Sequence, residues 1–295
     1  MKFRTIAIIA AALAVLAGSC KSQYEVLLSS NDVDAKYKAA MEYFNNRKYL
    51  KSAQLFESMA ILTDGTERDD SVRYYWALSN YRYKDFYTAE SNFAKFIEKY
   101  PQSPFTPDAR FLRLDCLYRA TLRWELDQTP TRNCLASITE YVTEYPGDGP
   151  HLEACLEMIK TLKERLDRKA FENARLYYKM EDYLAARVAL RNVLKDNADN
   201  VYREDILYYT AMASYHYARM SVQAKQKERY LTFVDDYLNF IGEYPESKYR
   251  REMDAMYRRS QRALGRYDGI DEELELKAKD FERERKALEK ESENN

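Results

Sequence analysis

The sequence predicts an all-α protein, a right-handed solenoid of about five helical hairpins. Glycine and proline are scarce, at seven residues each, and the prolines fall between amphipathic runs. In the run before Pro101, Ala89 and Phe93 follow the spacing of one buried helical face. Pro101 ends that helix because proline has no amide hydrogen and disfavours helical geometry in the residue before it. Ser103 is expected to cap the next helix.

The joint at Pro101 recurs along the chain. Tyr-Pro pairs also stand at Pro146 and Pro245, and Ala198 takes the place of proline in a degraded copy. Small residues occupy positions where two helices must approach closely, which is the tetratricopeptide pattern. Residues that fit its small and bulky positions are Tyr37, Phe44, Ala53, Ala60, Ala77, Ala89, Phe93, Cys134, Ala174, Tyr177, Ala186 and Leu190. The last copy fits poorly, with Phe233 at a small position. We predict a solenoid over residues 33–269.

Three of the repeats exceed the usual length of about 34 residues. We attribute the surplus to lengthened first helices at 104–126, 150–180 (a break within it is left open) and 201–222. A loop is expected at Asp127–Thr129, with Thr129 as N-cap and Pro130 at the first helical position.

Residues 1–19 have the pattern of an export signal. Lys2 and Arg4 precede an apolar run that is too short to span a membrane, and small residues precede Cys20. A cysteine in this position resembles the bacterial lipoprotein signal, in which the chain is cut before the cysteine and the cysteine carries the lipid, palmitate included. We predict Cys20 as the lipid attachment residue. The alternative is an ordinary signal peptide with a chance cysteine.

Residues 20–32 are expected to form a lipidated tether that ends in helix-capping side chains at Ser30, Asn31 and Asp32. Lys21 follows the cysteine, and an aspartate there would be typical of lipoproteins kept in the inner membrane. No acidic run of the kind that marks surface export follows. The resemblance therefore implies an outer-membrane, lipid-anchored protein that faces the periplasm.

Residues 270–295 form a highly charged tail. Leu274, Ala278, Phe281 and Leu288 make a thin apolar stripe at helical spacing. The tail is interpreted either as a helix that docks with a partner or frays into disorder, or as a solvated extension.

Composition excludes several classes of function. Lys and Arg total 47 and Asp and Glu total 48, so the formal net charge of -1 argues against a nucleic-acid partner. The two histidines, His151 and His216, have no metal-site spacing, and no glycine-rich phosphate loop or nucleophile elbow occurs. We predict a protein that is not an enzyme, with no catalytic residue, no cofactor and no metal site.

Three cysteines follow Cys20, namely Cys116, Cys134 and Cys155. An odd number cannot all pair within one chain. Buried thiols are the simplest interpretation, because Cys134 occupies a helix-packing position. A Cys116–Cys134 or Cys134–Cys155 bridge is the alternative.

The densest aromatic cluster runs from Arg73 to Tyr87. Most of it must be core, because Trp76, Ala77 and Tyr81 lie on core spacing. Other faces of such helices line a concave groove, where tyrosines can grip an extended peptide. Tyr74 and Tyr75 are therefore candidate partner-binding residues, and for each of them the alternative is a packing role.

The lipoprotein signal, the five repeats and the 127–155 segment DQTPTRNCLASITEYVTEYPGDGPHLEAC together resemble BamD-type outer-membrane assembly lipoproteins. The segments KYLKSAQLFESM and YPESKYRREMDAMYRRSQRAL resemble the family's first and last units. The resemblance covers roughly Val33 to Gly265 and leaves out the tail. It implies a non-enzymatic scaffold that binds the POTRA domains of the barrel insertase. It also implies delivery of unfolded outer-membrane protein precursors, with an aromatic-ended signal read in the N-terminal groove.

The resemblance further implies an insertase-contacting arginine on the second helix of the fourth unit. Here that helix offers Arg187 and Arg191 as candidates.

Two other functions stay open. One is another periplasmic tetratricopeptide lipoprotein that coordinates peptidoglycan or envelope processes; such proteins often carry an N-terminal coiled coil, and no sustained heptads precede Asp32. The other is a helical lytic transglycosylase, for which no stretch remains to form a catalytic domain.

Overall fold

A computed structural model describes residues 23–147, 149–266 and 269–293. Within those ranges the chain forms thirteen α-helices and no strand, which confirms the predicted all-α class. The signal segment and Cys20 lie outside the described residues. Of the helices in these ranges, none is both long and apolar enough to cross a membrane.

The helices fall into two compact units. Unit 1 comprises Gln128–Ile159 and the described part of Met1–Leu122, and unit 2 comprises Arg123–Asp127 and the described part of Lys160–Asn295. Unit 1 contains α1 (Gln23–Ser29), α2 (Val33–Asn45), α3 (Tyr49–Met59), α4 (Asp69–Tyr83), α5 (Phe86–Lys99), α6 (Thr106–Arg119) and α7 (Thr129–Glu144). Helix α8 (Gly149–Lys179) is divided between the units. Unit 2 continues with α9 (Tyr183–Asp196), α10 (Arg203–Arg219), α11 (Gln223–Glu243), α12 (Arg250–Ala263) and α13 (Ile270–Glu293).

Within each unit, most helices that follow one another in the chain pack together, as a helical-repeat fold requires. The small residues predicted at close approaches are buried, among them Ala77, Ala89 and Ala186. Phe93 and Leu190 fill the space beside them and have no exposed surface. Tyr177 is an exception, because 43 % of its surface is exposed although the repeat pattern placed it at a packing position.

Three hairpins have the same type of turn. A residue with positive φ follows the first helix in each, and these residues are Arg47 (59°), Lys84 (71°) and Glu181 (62°). The next amide donates to the carbonyl five residues before it, Lys48 to Tyr43 O (2.8 Å), Asp85 to Asn80 O (3.0 Å) and Asp182 to Tyr177 O (3.0 Å). This is the Schellman arrangement, which satisfies the last carbonyls of a helix. The same tight reversal therefore sets the hairpins in both units.

The Tyr-Pro joints are also repeated in detail. Ser103 Oγ donates to Asp70 Oδ2 at 2.9 Å, and Ser247 Oγ donates to Glu204 Oε1 at 2.5 Å. Each bond ties the joint to the first turn of the preceding first helix. Ser103 is not the N-cap of α6, as had been expected, because its hydroxyl accepts from the Phe105 amide (3.3 Å) in a turn that precedes the helix.

Several predicted helix boundaries are wrong, and α10, expected over 201–222, spans Arg203–Arg219. Helix α6 ends at Arg119 instead of 126, and the connection runs to Gln128, so that α7 begins one residue before the expected first position. Lys169 stabilises this connection, because its Nζ donates to the carbonyls of Trp124, Glu125 and Leu126 (3.3, 3.3 and 2.7 Å). The α8 helix, by contrast, continues unbroken from Gly149 to Lys179.

The tail is helical, and its first half packs on the protein. Leu274 is 4 % exposed and joins the core formed by α10, α11 and α12. Phe281 packs on α11 at Gly242, where a Cβ atom would lie 3.1 Å from the ring. The absence of a side chain at Gly242 therefore makes room for Phe281, and this part of the tail does not extend into solvent.

Replacing Gly242 with leucine is expected to displace Phe281 and undock α13. Overpacking of this kind costs about 1–3 kcal/mol, while leucine itself favours helix more than glycine does. Trypsin should therefore cut at Lys277 and Lys279 roughly tenfold faster. Phe281→Ala should give the same result through loss of the docked ring. Unchanged cleavage in both variants would show that these contacts do not hold the tail.

Candidate partner-binding surfaces

Tyr74 is a core residue. Its ring stacks on Phe105 with centroids 4.6 Å apart and contacts Phe96 at 5.8 Å. Only 6 % of the residue is exposed, and burial raises the pKa of its hydroxyl to about 12. Of the two interpretations given above, the structure therefore favours packing for Tyr74.

Tyr75 has a different position on the same helix. It is half-buried, with its ring 5.6 Å from Phe44, 5.8 Å from Phe56 and 6.0 Å from Phe105. Tyr37, also half-buried, contacts Phe56 at 5.8 Å. These rings form a contiguous set, the aromatic row, which consists of Tyr37, Phe44, Phe56, Tyr75 and Phe105. The row extends from α2 to the start of α6; Phe56 is fully buried, and the other four rings are half-buried.

A buried carboxylate lies where α4 meets the first Tyr-Pro joint. Asp69 has no exposed side-chain surface and accepts from Arg73 Nε (2.8 Å), Lys99 Nζ (2.7 Å) and the Tyr100 hydroxyl. Burial alone would raise the pKa of this carboxyl group, but the bonds from Lys99 and Tyr100 and the charge of Arg73 outweigh it and hold the pKa below its usual value. This cluster has the features of a structural joint, since every polar group faces another within the chain.

Arg187 is engaged inside unit 2. Its Nε lies 2.8 Å from Asp236 Oδ2 and its Nη2 lies 3.3 Å from Oδ1, a bidentate pair between α9 and α11. Ser214 donates to the same carboxylate at 2.5 Å. Both charged side chains are mostly covered, at 21 % and 13 % exposed. The arrangement gives Arg187 a structural role that sequence reasoning did not detect.

Arg191 lies one turn further along α9 and is exposed. The same helix exposes Leu184 (48 %) and Val188 (51 %), spaced four residues apart so that they share a face. At the end of α8, Leu176, Tyr177 and Met180 are exposed as well. We call Leu176, Tyr177, Met180, Leu184, Val188 and Arg191 the α8–α9 face. Its apolar members were missed by sequence reasoning, although apolar residues opposite the buried Ala186 and Leu190 were a usable signal.

The cysteines and histidines considered in the sequence analysis pack against other side chains. Cys116, Cys134 and Cys155 are buried and form no disulfide in the described part of the chain, and burial raises the pKa of the Cys116 thiol to about 12. His151 stacks on Phe111 (4.2 Å) and His216 stacks on Tyr183 (4.9 Å). Burial lowers the pKa of His216. Across the described ranges, no group of three or more His, Cys, Asp or Glu residues is arranged to hold a metal ion.

The fold defines a class, a helical-hairpin repeat protein. A family model described as "Outer membrane lipoprotein" (YfiO) matches residues 29–232, and the chain therefore belongs to this family, which is the BamD family. The matched part includes the segment around KYLKSAQLFESM and ends within α11. The resemblance suggested for 244–264 lies beyond it.

Other comparisons add little. No curated protein matches the chain in sequence. Among solved structures, the chain is similar to the TPR2AB-domain:pHSP90 complex of yeast Sti1, with 13 % identity and a TM-score of 0.38. That similarity covers 84 % of this chain and 98 % of the other. The assignment to the family rests on the sequence match.

Proposed function

We propose that this protein is a non-enzymatic scaffold of the outer-membrane β-barrel assembly machinery. It is anchored by lipid on Cys20, faces the periplasm, binds the POTRA region of the barrel insertase and hands over unfolded barrel precursors. The observation that carries the proposal is the family match over residues 29–232, which includes α2 to α10 and the start of α11. The two surfaces described above supply separate places for the two kinds of partner.

The aromatic row is the proposed site for the precursor. An unfolded barrel strand has alternating apolar side chains and unpaired backbone groups, which makes it prone to aggregate in water. Tyr37 and Tyr75 present ring faces to such a strand and hydroxyl groups to its backbone. Because the rings already pack on one another, little entropy is lost on the receptor side when the strand binds.

The α8–α9 face is the proposed site for the insertase. It combines exposed apolar side chains with the Arg191 guanidinium, and its Tyr177, Met180 and Arg191 are of residue types enriched at interface centres. Arg187 is less suited to a partner because its two donor groups already face Asp236. A lipid on Cys20 would place both surfaces next to the insertion site and raise their effective concentration there.

Affinity purification of the tagged, lipidated chain from native outer membranes tests the proposal. We expect a POTRA-containing barrel protein as the dominant, stoichiometric partner in the mass spectrum. The same preparation from a chain with Cys20→Ser should yield much less of it, because the anchor is lost. Recovery of peptidoglycan enzymes without a POTRA protein would instead assign the chain to an envelope-coordinating role.

A further inference from the structure

Unit 1 carries a concentrated positive surface at the turns of its first two hairpins. Its cations are Arg47, Lys48, Lys51, Arg82 and Lys84, and all five are exposed. Tyr49, Leu50 and Tyr83 complete the lining of this shallow depression, to which no described carboxylate contributes. The neighbouring Asp85 carboxylate lies outside this lining and caps α5, accepting from the Thr88 amide at 3.1 Å. We call these eight residues the basic edge. Five cations in one patch stand out in a chain whose net charge is -1.

The turn geometry does not require these cations. Arg47 and Lys84 occupy the left-handed position of the Schellman turn, and the third hairpin has Glu181 at the same position with nearly the same φ. A cation near a helix C-terminus gains a little from the helix dipole, but one residue per helix is enough for that. The clustering of five therefore points to a ligand of negative charge.

The start of α1 lies beside the basic edge. The Tyr24 hydroxyl donates to Gln54 Oε1 (2.6 Å) and lies 3.3 Å from Lys51 O. The Tyr24 ring lies 4.9 Å from Lys51 Nζ and packs edge-on against Tyr43 at 5.6 Å. Tyr24 is therefore fixed against the patch by contacts on several sides.

Cys20 precedes Tyr24 by four positions, so that chain can span at most about 14 Å. A lipid on Cys20 must enter the membrane within that distance of Tyr24. The basic edge therefore lies close to the headgroup layer whenever the anchor is inserted. The attraction of lysine and arginine to an anionic surface falls off over a Debye length of ~8–10 Å, and a tether of this reach brings the patch to a comparable distance from the headgroups.

We propose that the basic edge binds anionic phospholipid headgroups of the membrane that holds the lipid anchor. Leu50 and Tyr83, both about half exposed, would contribute apolar surface at the level of the headgroups. A second contact beside the anchor fixes the orientation of unit 1 on the membrane. The inference rests on lipid attachment at Cys20 and is independent of any role in barrel assembly.

Lysine labelling of the full lipidated chain tests the proposal. The chain is reconstituted in nanodiscs of phosphatidylcholine, alone or mixed with phosphatidylglycerol, and acetylation by an amine-reactive ester is followed by mass spectrometry. Lys48, Lys51 and Lys84 should react roughly fivefold more slowly in the anionic discs, and high salt should remove the difference. Lys95, Lys163 and Lys227 are exposed lysines outside the patch, and their rates should not change.

A variant tests whether the protection of the lysines depends on the charge of the basic edge or only on shielding by the disc. In the quadruple variant R47Q/K48Q/R82Q/K84Q, Lys51 remains as a reporter beside Tyr24, and its protection in anionic discs should disappear. Circular dichroism should show the wild-type melting curve because all four side chains are exposed. Equal labelling of the patch in both discs, or protection that survives in the variant, would overturn the proposal. Protection that arises only when an acidic protein partner is added would also overturn it and assign the patch to that partner.

Discussion

Asp69→Asn is expected to lower the free energy of unfolding of unit 1 by about 3 kcal/mol. The carboxylate is fully covered and receives Arg73, Lys99 and Tyr100. An amide of the same shape keeps one acceptor oxygen but removes the negative charge, so that Arg73 and Lys99 lose their buried partner and keep only the exposed Asp64. The cost is therefore that of breaking a buried network, which exceeds the cost of losing a surface pair.

Asp64→Asn is the matched control. Asp64 pairs with the same Arg73 and Lys99, but 61 % of its side chain is exposed. Solvent screens such a pair, so its loss should cost no more than about 1 kcal/mol. Both variants are best measured by denaturant unfolding in a Trp124→Phe background, in which Trp76 of α4 is the remaining tryptophan and reports on unit 1. Equal losses in the two variants would show that burial of Asp69 is not the cause.

The stabilisation that Asp69 provides should be lost at acidic pH. Because the pKa of Asp69 is lowered in the folded protein, its contribution is complete above the unfolded value of about 4 and is lost as the pH falls through the lower folded value. The free energies of unfolding of wild type and Asp69→Asn should therefore differ by a constant amount around neutral pH. The two values should converge below a pH of about 4. A difference that stays constant down to the acid transition would contradict the assignment of the lowered pKa to this group.

Much of this architecture is predictable from local sequence. Ala77 and Ala89 follow from the repeat pattern because a small residue is needed wherever two helices meet, and Pro101 and Pro245 mark joints because proline cannot continue a helix. Asp32 was expected to cap a helix, and its carboxylate accepts the Ala35 amide at 3.0 Å. Each of these signals acts within a few residues.

The features that were predicted wrongly depend on contacts between residues far apart in sequence. Helix α6 was extended to 126 because nothing nearby in sequence ends it, whereas the carbonyls of 124–126 are bound by Lys169, more than forty residues later. Tyr74 and Tyr75 cannot be ranked by spacing alone, since their exposure depends on where Phe105 packs. Likewise, Arg187 looks like a free surface cation until Asp236 of α11 is placed beside it. These residues depend on contacts that a repeat pattern does not encode.

Substitution of Arg187 is therefore expected to affect stability, whereas substitution of Arg191 is expected to affect partner binding. Arg187→Ala leaves Asp236 largely buried without its cation, which should lower the free energy of unfolding of unit 2 by about 3 kcal/mol. Arg191→Glu changes an exposed side chain, so stability should stay within about 0.5 kcal/mol of wild type. The same reversal should weaken capture of the POTRA-containing partner at least about tenfold, because a like charge is placed in the proposed interface.

The two measurements are a thermal melt and the yield of the partner in purification from native membranes. Lys227→Glu is the charge-matched control, an exposed lysine on α11 whose reversal should alter neither readout. Loss of capture at Arg191 with an unchanged melt supports a contact through the α8–α9 face. If Arg187→Ala keeps its stability and loses the partner while Arg191→Glu captures it normally, the roles given to the two arginines must be exchanged. The ion pair with Asp236 would then be a resting contact that opens when the insertase binds.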